Sequence, residues 1–296
     1  MIIITGATGK LGRQIVERLL ARVPAYGVGV SVRDADKAQD LADRGVRVRA
    51  GSFTEPESLA YAFEGASQVL IVSVDKLGDE AVDLHRAAID AAITAGARRI
   101  LYTSHAGARH DSHFQACRDH TRQRRTRCQL PEWRSPRCGT ASTLPPSVSS
   151  SARPSDRVRS CCRPTGRSAG PITPNLAEVA AGILADEGRL DGPTPPLTGA
   201  RAYTYDDVAA LASELTGRPF TRTTVSDEQF RRQLVGHGVP VEAVDVMLSI
   251  FAASRDEEFA VVDPTLAELI GREPLDLAAV LRPILTARPE PVGTPH

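Results

Sequence analysis

The sequence predicts an α/β fold: a doubly wound parallel sheet followed by a smaller mixed α/β lobe. Three observations predict it. Short segments of strand type recur at 2–5, 28–32, 46–50, 68–72 and 99–104, the third of them, Val46-Arg47-Val48-Arg49-Ala50, as an alternation. Helical patterns with short connections separate them, and that alternation requires a parallel sheet with right-handed crossovers. The first strand enters a turn punctuated by Gly6, Gly9 and Gly12 and passes at once into a helix carrying Leu11, Ile15, Val16, Leu19 and Leu20.

The first strand and its turn read Ile2-Ile3-Ile4-Thr5-Gly6-Ala7-Thr8-Gly9-Lys10-Leu11-Gly12. Gly6 lets the backbone turn sharply. Gly9 lets it approach a pyrophosphate without a Cβ in the way, and Gly12 lets helix pack close to strand. The N–H groups at the helix start then face the phosphates, where the helix dipole favours negative charge. Glycine also marks ordinary turns; the strand-to-helix context makes this a dinucleotide site of Rossmann type. Gly6, Ala7, Thr8, Gly9, Lys10 and Leu11 are the candidate phosphate-binding residues.

The second strand, Val28–Val32, ends at Arg33. An acidic residue at this place selects a free ribose 2′-hydroxyl, whereas Arg accommodates a 2′-phosphate. Arg33 therefore favours NADPH over NADH, against the simpler reading of a solvated arginine. Asp34 is expected to cap the next helix, and Thr54 the helix after the third strand. The fourth strand opens onto Ser73 and the fifth carries Thr103. Both should line the cofactor, because ligands bind at the carboxyl ends of such strands. A helix over 78–96 places Ala81, Leu84, Ala88, Ile89 and Ala92 on one face. Residues 1–171 are read as the NAD(P)-binding domain. Residues 172–296 supply helices and short strands that complete the sheet and form a substrate lobe; Asn175 and Ser226 are read as helix caps.

Composition narrows the function. The 296 residues carry no net charge, so charge predicts no nucleic-acid partner. No apolar run is long enough to span a membrane. The chain enters a strand directly, without a basic n-region or cleavage site, so a cytoplasmic location is expected. Five cysteines, an odd number, suggest no disulfide framework there. No oligomer interface is legible, and a homodimer is left open.

Thr5-Gly6-Ala7-Thr8-Gly9-Lys10-Leu11-Gly12, Val32-Arg33-Asp34-Ala35-Asp36-Lys37-Ala38 and Tyr102-Thr103-Ser104 resemble the NmrA-like branch of the atypical short-chain dehydrogenases/reductases. The likeness covers about the first 120 residues and resumes near residue 172. It implies NADPH binding and a small-molecule acceptor such as a quinone, reduced by direct hydride transfer with no flavin and no metal. It also implies an alternative: a redox-sensing regulator that binds the dinucleotide without turnover, as some members of the branch do.

Residues 121–170 break the pattern. The stretch is rich in Arg, Ser, Pro, Thr and Cys, and holds four of the five cysteines and the only tryptophan. A structureless loop of this size inside a compact fold argues against taking it at face value. It reads instead as translated out of frame; a disordered insertion or an Arg-rich interaction segment is the simpler account. Codons built from the last base of one codon and the first two of the next let 137–143 spell Leu-Arg-Asn-Gly-Phe-Tyr. That is similar to the branch's loop closing over the nicotinamide. Residues 121–125 can spell Ala-Thr-Glu-Ala, and 164–171 Asp-Gly-Pro-Val-Ser-Trp-Thr, in family order. If the printed frame is the one made, an inactive product is expected.

No Tyr-x-x-x-Lys occurs, so the general acid of conventional short-chain dehydrogenases is missing. Quinone reduction needs less: proximity, orientation and a donor for the product oxyanion. His105, directly after the fifth strand, is the candidate proton donor; a loop histidine with no chemical role is the competing reading. His105, His110, His113, Cys117 and His120 match no closed zinc spacing. Ser104 lacks a nucleophile elbow and is read as an ordinary strand-end serine.

Overall fold

The computed structural model describes residues 1–74, 76–105, 111–114, 168–170, 173–190 and 195–286, and the backbone of a strand at Val158–Cys161. Five parallel strands form the main sheet: β1 (Ile2–Thr5), β2 (Val28–Val32), β3 (Arg47–Ala50), β4 (Gln68–Ile71) and β5 (Arg99–Tyr102). Their spatial order is β3-β2-β1-β4-β5. β1 therefore pairs with β2 on one side and β4 on the other. The order reverses there, and the crevice at the carboxyl ends of β1 and β4 is where such sheets bind ligands. β1, β2, β4 and β5 are buried along their whole length, which is why they read as runs and not as alternations.

One face is covered by α1 (Lys10–Leu20) and α5 (Thr173–Ala185), which pack on each other through Ile15, Val16 and Leu19 against Leu176, Val179 and Ile183. The other face is covered by α3 (Pro56–Phe63) and α4 (Gly78–Thr94), with Phe63, Leu59, Ala88 and Ala92 under Ile3, Val69 and Ile100. The short α2 (Gln39–Ala42) lies between β2 and β3 and is tied to α1 by Arg13 pairing with Asp40 and by Arg44 on Glu17. At the amino end of the sheet, Arg99 is buried and donates to Gln68 Oε1 at 3.0 Å, Ile183 O at 2.7 Å and Leu190 O at 3.1 Å. Gln68 donates to Leu184 O at 3.0 Å. The last carbonyls of α5 thus find donors inside the protein, as a buried helix end requires.

The second lobe holds α6 (Tyr205–Thr216), a strand at Phe220–Thr223, α7 (Asp227–Gly236), α8 (Val241–Arg255), α9 (Thr265–Ile270) and α10 (Leu277–Thr286). Thr204 and Asp207 close α6 with a capping box, and Ser226 and Gln229 close α7 in the same way. The Ser226 cap was expected. Phe251 of α8 meets Phe230 and Tyr205 edge-on in the lobe's core. Val158–Cys161 pairs in parallel with Phe220–Thr223.

Several local expectations are corrected. Asp34 does not cap a helix by side chain: its Oδ1 accepts the Asp36 N–H at 3.2 Å, folding a local turn, and its Oδ2 pairs with Lys37 at 3.3 Å. Thr54 is not the cap of α3; Glu55 holds that place and Pro56 starts the helix. Asn175 lies within α5, fully buried, and clasps Leu275 by donating to its carbonyl at 3.2 Å and accepting from its N–H at 3.1 Å. On α4 the buried face runs through Val82 and His85, leaving Leu84 half-buried. Of the segment 121–170, only Val158–Cys161 and residues 168–170 are described; the rest, with His110, Cys117 and His120, lies outside the described residues.

Candidate functional site

The carboxyl ends of the strands bring most of the candidate residues to one edge. The glycine turn leaves β1 with Gly6 in the left-handed region at φ 63°, a conformation that favours glycine. Gly6 N–H donates to Ser31 O of β2 at 3.2 Å, and Gly9 N–H returns to Gly6 O at 3.0 Å. Gly12 has no room for a side chain. A Cβ there would lie 2.3 Å from Gly6 O, 2.7 Å from Gly6 C and 3.1 Å from the Ala7 Cα. Only a glycine lets α1 begin this close to the turn. Ala7 is fully buried in the core, whereas Thr8, Gly9 and Lys10 are exposed and Leu11 is half-buried.

The start of α1 is left open. Gly9 occupies its N-cap, no side chain caps it, and no acidic residue sits in its first turn. The same chain closes α6 and α7 with full capping boxes. An uncapped N-terminus behind a glycine turn presents N–H groups and the positive end of the helix dipole to an anion. The residues present therefore fit a dinucleotide pyrophosphate.

Along the same edge, Thr5 Oγ1 accepts the Val72 N–H at 2.9 Å, tying β1 to the exit of β4. Thr103 Oγ1 accepts the Ser73 N–H at 2.8 Å and donates to Ser73 Oγ at 3.1 Å, tying β4 to β5. Ser73 and Thr103 are thus brought into direct contact. Arg33, at the exit of β2, is exposed and has no ion-pair partner among the described residues. Ser104 is buried, and its Oγ has no hydrogen-bond partner among the described residues.

Sequence reasoning missed His85. It is 3% exposed on α4, and its Nε2 accepts the Val74 N–H at 3.0 Å. Nε2 therefore carries the lone pair, and Nδ1–H faces Tyr102 Oη at 3.1 Å. The ring stands edge-on to Tyr102 and Phe53. Burial, and secondarily the charge of His105, lowers the His85 pKa to about 4. A neutral imidazole thus pins the loop after β4 to the end of β5. A histidine on an apolar helix face was the available signal.

His105 leaves β5 half-buried, with its ring edge-on to Phe114 at 5.2 Å between centroids. Phe114 packs with Ala253, Leu77, Val246, Ile250 and Phe259, so α8 of the second lobe meets the loops after β4 and β5 in an apolar wall. His113 Nε2 stands 2.7 Å from Asp256 Oδ2, and the buried Glu258 completes a trio of groups within 4.8 Å. Glu258 Oε1 already accepts the His113 N–H at 2.9 Å, and Oε2 accepts the Ser112 hydroxyl. The trio is a hydrogen-bonded clasp between lobe and loop.

Sheet order, glycine turn and open helix start define a dinucleotide-binding protein of Rossmann type. The profile of the NAD(P)H-binding family matches residues 6–126. Quinone oxidoreductase 2 of Escherichia coli is 29% identical over 289 residues, covering 94% of this chain and 96% of that protein. The NAD(P)H azoreductase of Xenophilus azovorans is 29% identical over 278 residues, covering 92% and 93%. The Citrobacter sp. triphenylmethane reductase, solved as a complex with NADP(H), superposes with a TM-score of 0.84 at 28% identity, covering 96% of this chain and 100% of that one. Residues 6–126 thus carry the NAD(P)H-binding profile, and the chain is similar to quinone oxidoreductase 2 and to an NmrA-like oxidoreductase of Aspergillus flavus, 24% identical over 311 residues. No helix among the described residues is long and apolar enough to cross a membrane.

Proposed function

We propose that the protein is an NADPH-dependent oxidoreductase that passes hydride directly to a quinone or a similar planar acceptor, without flavin or metal. The observation that carries this reading is the glycine turn backed by an uncapped α1, at the switch point of the sheet. Relatives over nearly the whole chain are named for reduction of quinones and azo compounds. The preference for NADPH is supported at the β2 exit. Asp34, the carboxylate that could select a free 2′-hydroxyl, is engaged with Asp36 N–H and Lys37, while Arg33 is exposed beside it.

Bound NADPH supplies a hydride, and with one proton a quinone becomes a hydroquinone. Thr8, Gly9 and Lys10 hold the pyrophosphate from the open side of the turn. Arg33 holds the 2′-phosphate. Ser73 and Thr103, fixed against each other, line the floor between β4 and β5. The wall around Phe114 excludes water from the acceptor, and His105, against that wall, is the candidate donor of the proton.

The test is cofactor titration and cofactor oxidation by a panel of quinones, for the native protein and Arg33→Ala. A charged hydrogen bond contributes roughly 1.5–3 kcal/mol, so Arg33→Ala should weaken NADPH about ten- to a hundredfold and leave NADH nearly unchanged. Equal loss for both cofactors rejects the phosphate role. Tight NADPH binding with no acceptor-dependent oxidation replaces the enzyme with a dinucleotide sensor.

A further inference from the structure

The end of α8 is built in an unusual way. Glu257 N–H donates to Ser254 O at 3.1 Å and Glu258 N–H to Ala253 O at 3.0 Å, the double closure of a Schellman turn. The left-handed residue in that turn is normally glycine; here it is Glu257, at φ 56°, the only non-glycine with positive φ among the described residues. A backbone in this region persists where its surroundings over-determine it, and such places cluster at functional sites. The turn directs Glu258 inward, where it is 5% exposed.

Glu258 meets the loop after β5. Its two oxygens take the Ser112 hydroxyl and the His113 N–H, and Ser112 Oγ in turn accepts the Phe114 N–H at 3.1 Å. Ser112 and Phe114 are both buried. The Phe114 ring is thereby wedged between His105, at 5.2 Å, and Phe259, at 6.4 Å. One carboxylate from the second lobe sets the backbone of three consecutive residues in the loop that follows the sheet. A loop that only needed covering would be served by apolar contact. Two hydrogen bonds to one buried group fix its register as well.

We propose that Glu258 is a positioning residue for the acceptor: through Ser112 and His113 it holds Phe114 as the wall that aligns the acceptor against His105. The inference rests on the reading of this edge as the acceptor side of an NADPH-dependent reductase. The carboxylate touches neither cofactor nor acceptor. Its loss should disturb acceptor binding and leave the glycine turn on β1 untouched.

The experiment uses the full chain, with 1,4-benzoquinone as acceptor. NADPH Kd is measured by fluorescence titration, and kcat and KM for the quinone by NADPH oxidation. The variants are Glu258→Ala, Glu258→Gln, Ser112→Ala and Glu257→Gly. Glu258→Ala should raise the quinone KM about tenfold and move the NADPH Kd by less than about twofold. Glu258→Gln, which keeps one acceptor oxygen, should recover part of that loss, and Ser112→Ala should show a smaller loss of the same kind. Glu257→Gly relieves the left-handed side chain while keeping Glu258 in place, so it should raise Tm and leave KM unchanged. If Glu258→Ala does not fold, Ser112→Ala carries the test. A native protein that oxidises no NADPH with the quinone overturns the enzyme reading and this inference with it. An active native protein whose folded variants keep the quinone KM, or lose NADPH affinity in parallel with it, overturns this inference alone.

Discussion

His85 makes stability depend on pH in a way that can be worked out from its contacts. The folded protein holds the ring neutral, with Nε2 accepting from Val74 and Nδ1–H facing Tyr102. Burial, then the charge of His105, lowers its pKa from 6.5 to about 4. In the unfolded chain the ordinary value returns, so between these two pH values the unfolded state binds more protons. Stability from this group is complete above pH 6.5 and is lost as pH falls toward 4. At ~1.4 kcal/mol per unit of pKa difference, the loss reaches about 2.5 kcal/mol at pH 4.5. The perturbation is His85→Asn, which cannot titrate. Urea unfolding of both proteins at pH 7.5 and pH 4.5 supplies the four free energies. The native protein should lose about 2.5 kcal/mol more than the variant over that interval, beyond the carboxylate losses both share. Parallel losses, agreeing within about 0.5 kcal/mol, would refute the assignment of a neutral, proton-resistant His85.

Three further outcomes are expected. Gly12→Ala puts a Cβ 2.3 Å from Gly6 O, with only backbone to give way, so the turn must move. It should cost more than about 2 kcal/mol and abolish the rise in Tm on adding NADPH, and an unchanged rise would contradict the close approach of α1 to the turn. Asn175→Ala removes both hydrogen bonds to the Leu275 backbone and should cost about 1–3 kcal/mol in chemical denaturation; a change under about 0.5 kcal/mol would show that the clasp contributes nothing. DNA sequencing across codons 115 to 175 should show a frame in which 137–143 encodes Leu-Arg-Asn-Gly-Phe-Tyr, and codons unable to do so reject the shifted frame.

What could be read from the sequence was whatever the backbone decides locally. The glycine turn is legible because Gly6 sits at positive φ, which favours glycine, and Gly12 lies against Gly6 O with no room for a Cβ. Four of the five strands are legible because each is an apolar run bounded by a turn, and β3 because Arg47-Val48-Arg49-Ala50 alternates. The Ser226 cap was found, because its partner Gln229 is three residues away. Asn175 and Thr54 were misread by the same rule. Each has the chemistry of a cap, but Asn175 has its partner at Leu275, a hundred residues on, and at Thr54 the proline at position 56 fixes the helix start one residue later than the cap requires. The partners of His85 and Glu258 were hidden for a related reason. Nothing near either residue in sequence says which backbone it will hold.

The two sides of the pocket are therefore encoded differently. The cofactor side needs a handful of contiguous residues and one helix start, and it forms wherever β1 and α1 form. The acceptor side proposed above needs Glu258 to meet Ser112 across 146 positions of chain, and the loop after β4 needs His85 to meet Val74 and Tyr102 inside the first half. Contacts of the first kind survive changes elsewhere in the chain; contacts of the second kind depend on everything folded between the partners. A change confined to residues 121–170 falls between Ser112 and Glu258 and between no pair of residues in the glycine turn. Such a change should separate the two activities, sparing NADPH binding while it erodes turnover with the quinone. Titration and turnover measured side by side on the chain as printed would show that separation, and a loss of both together would show that the pocket is one cooperative unit.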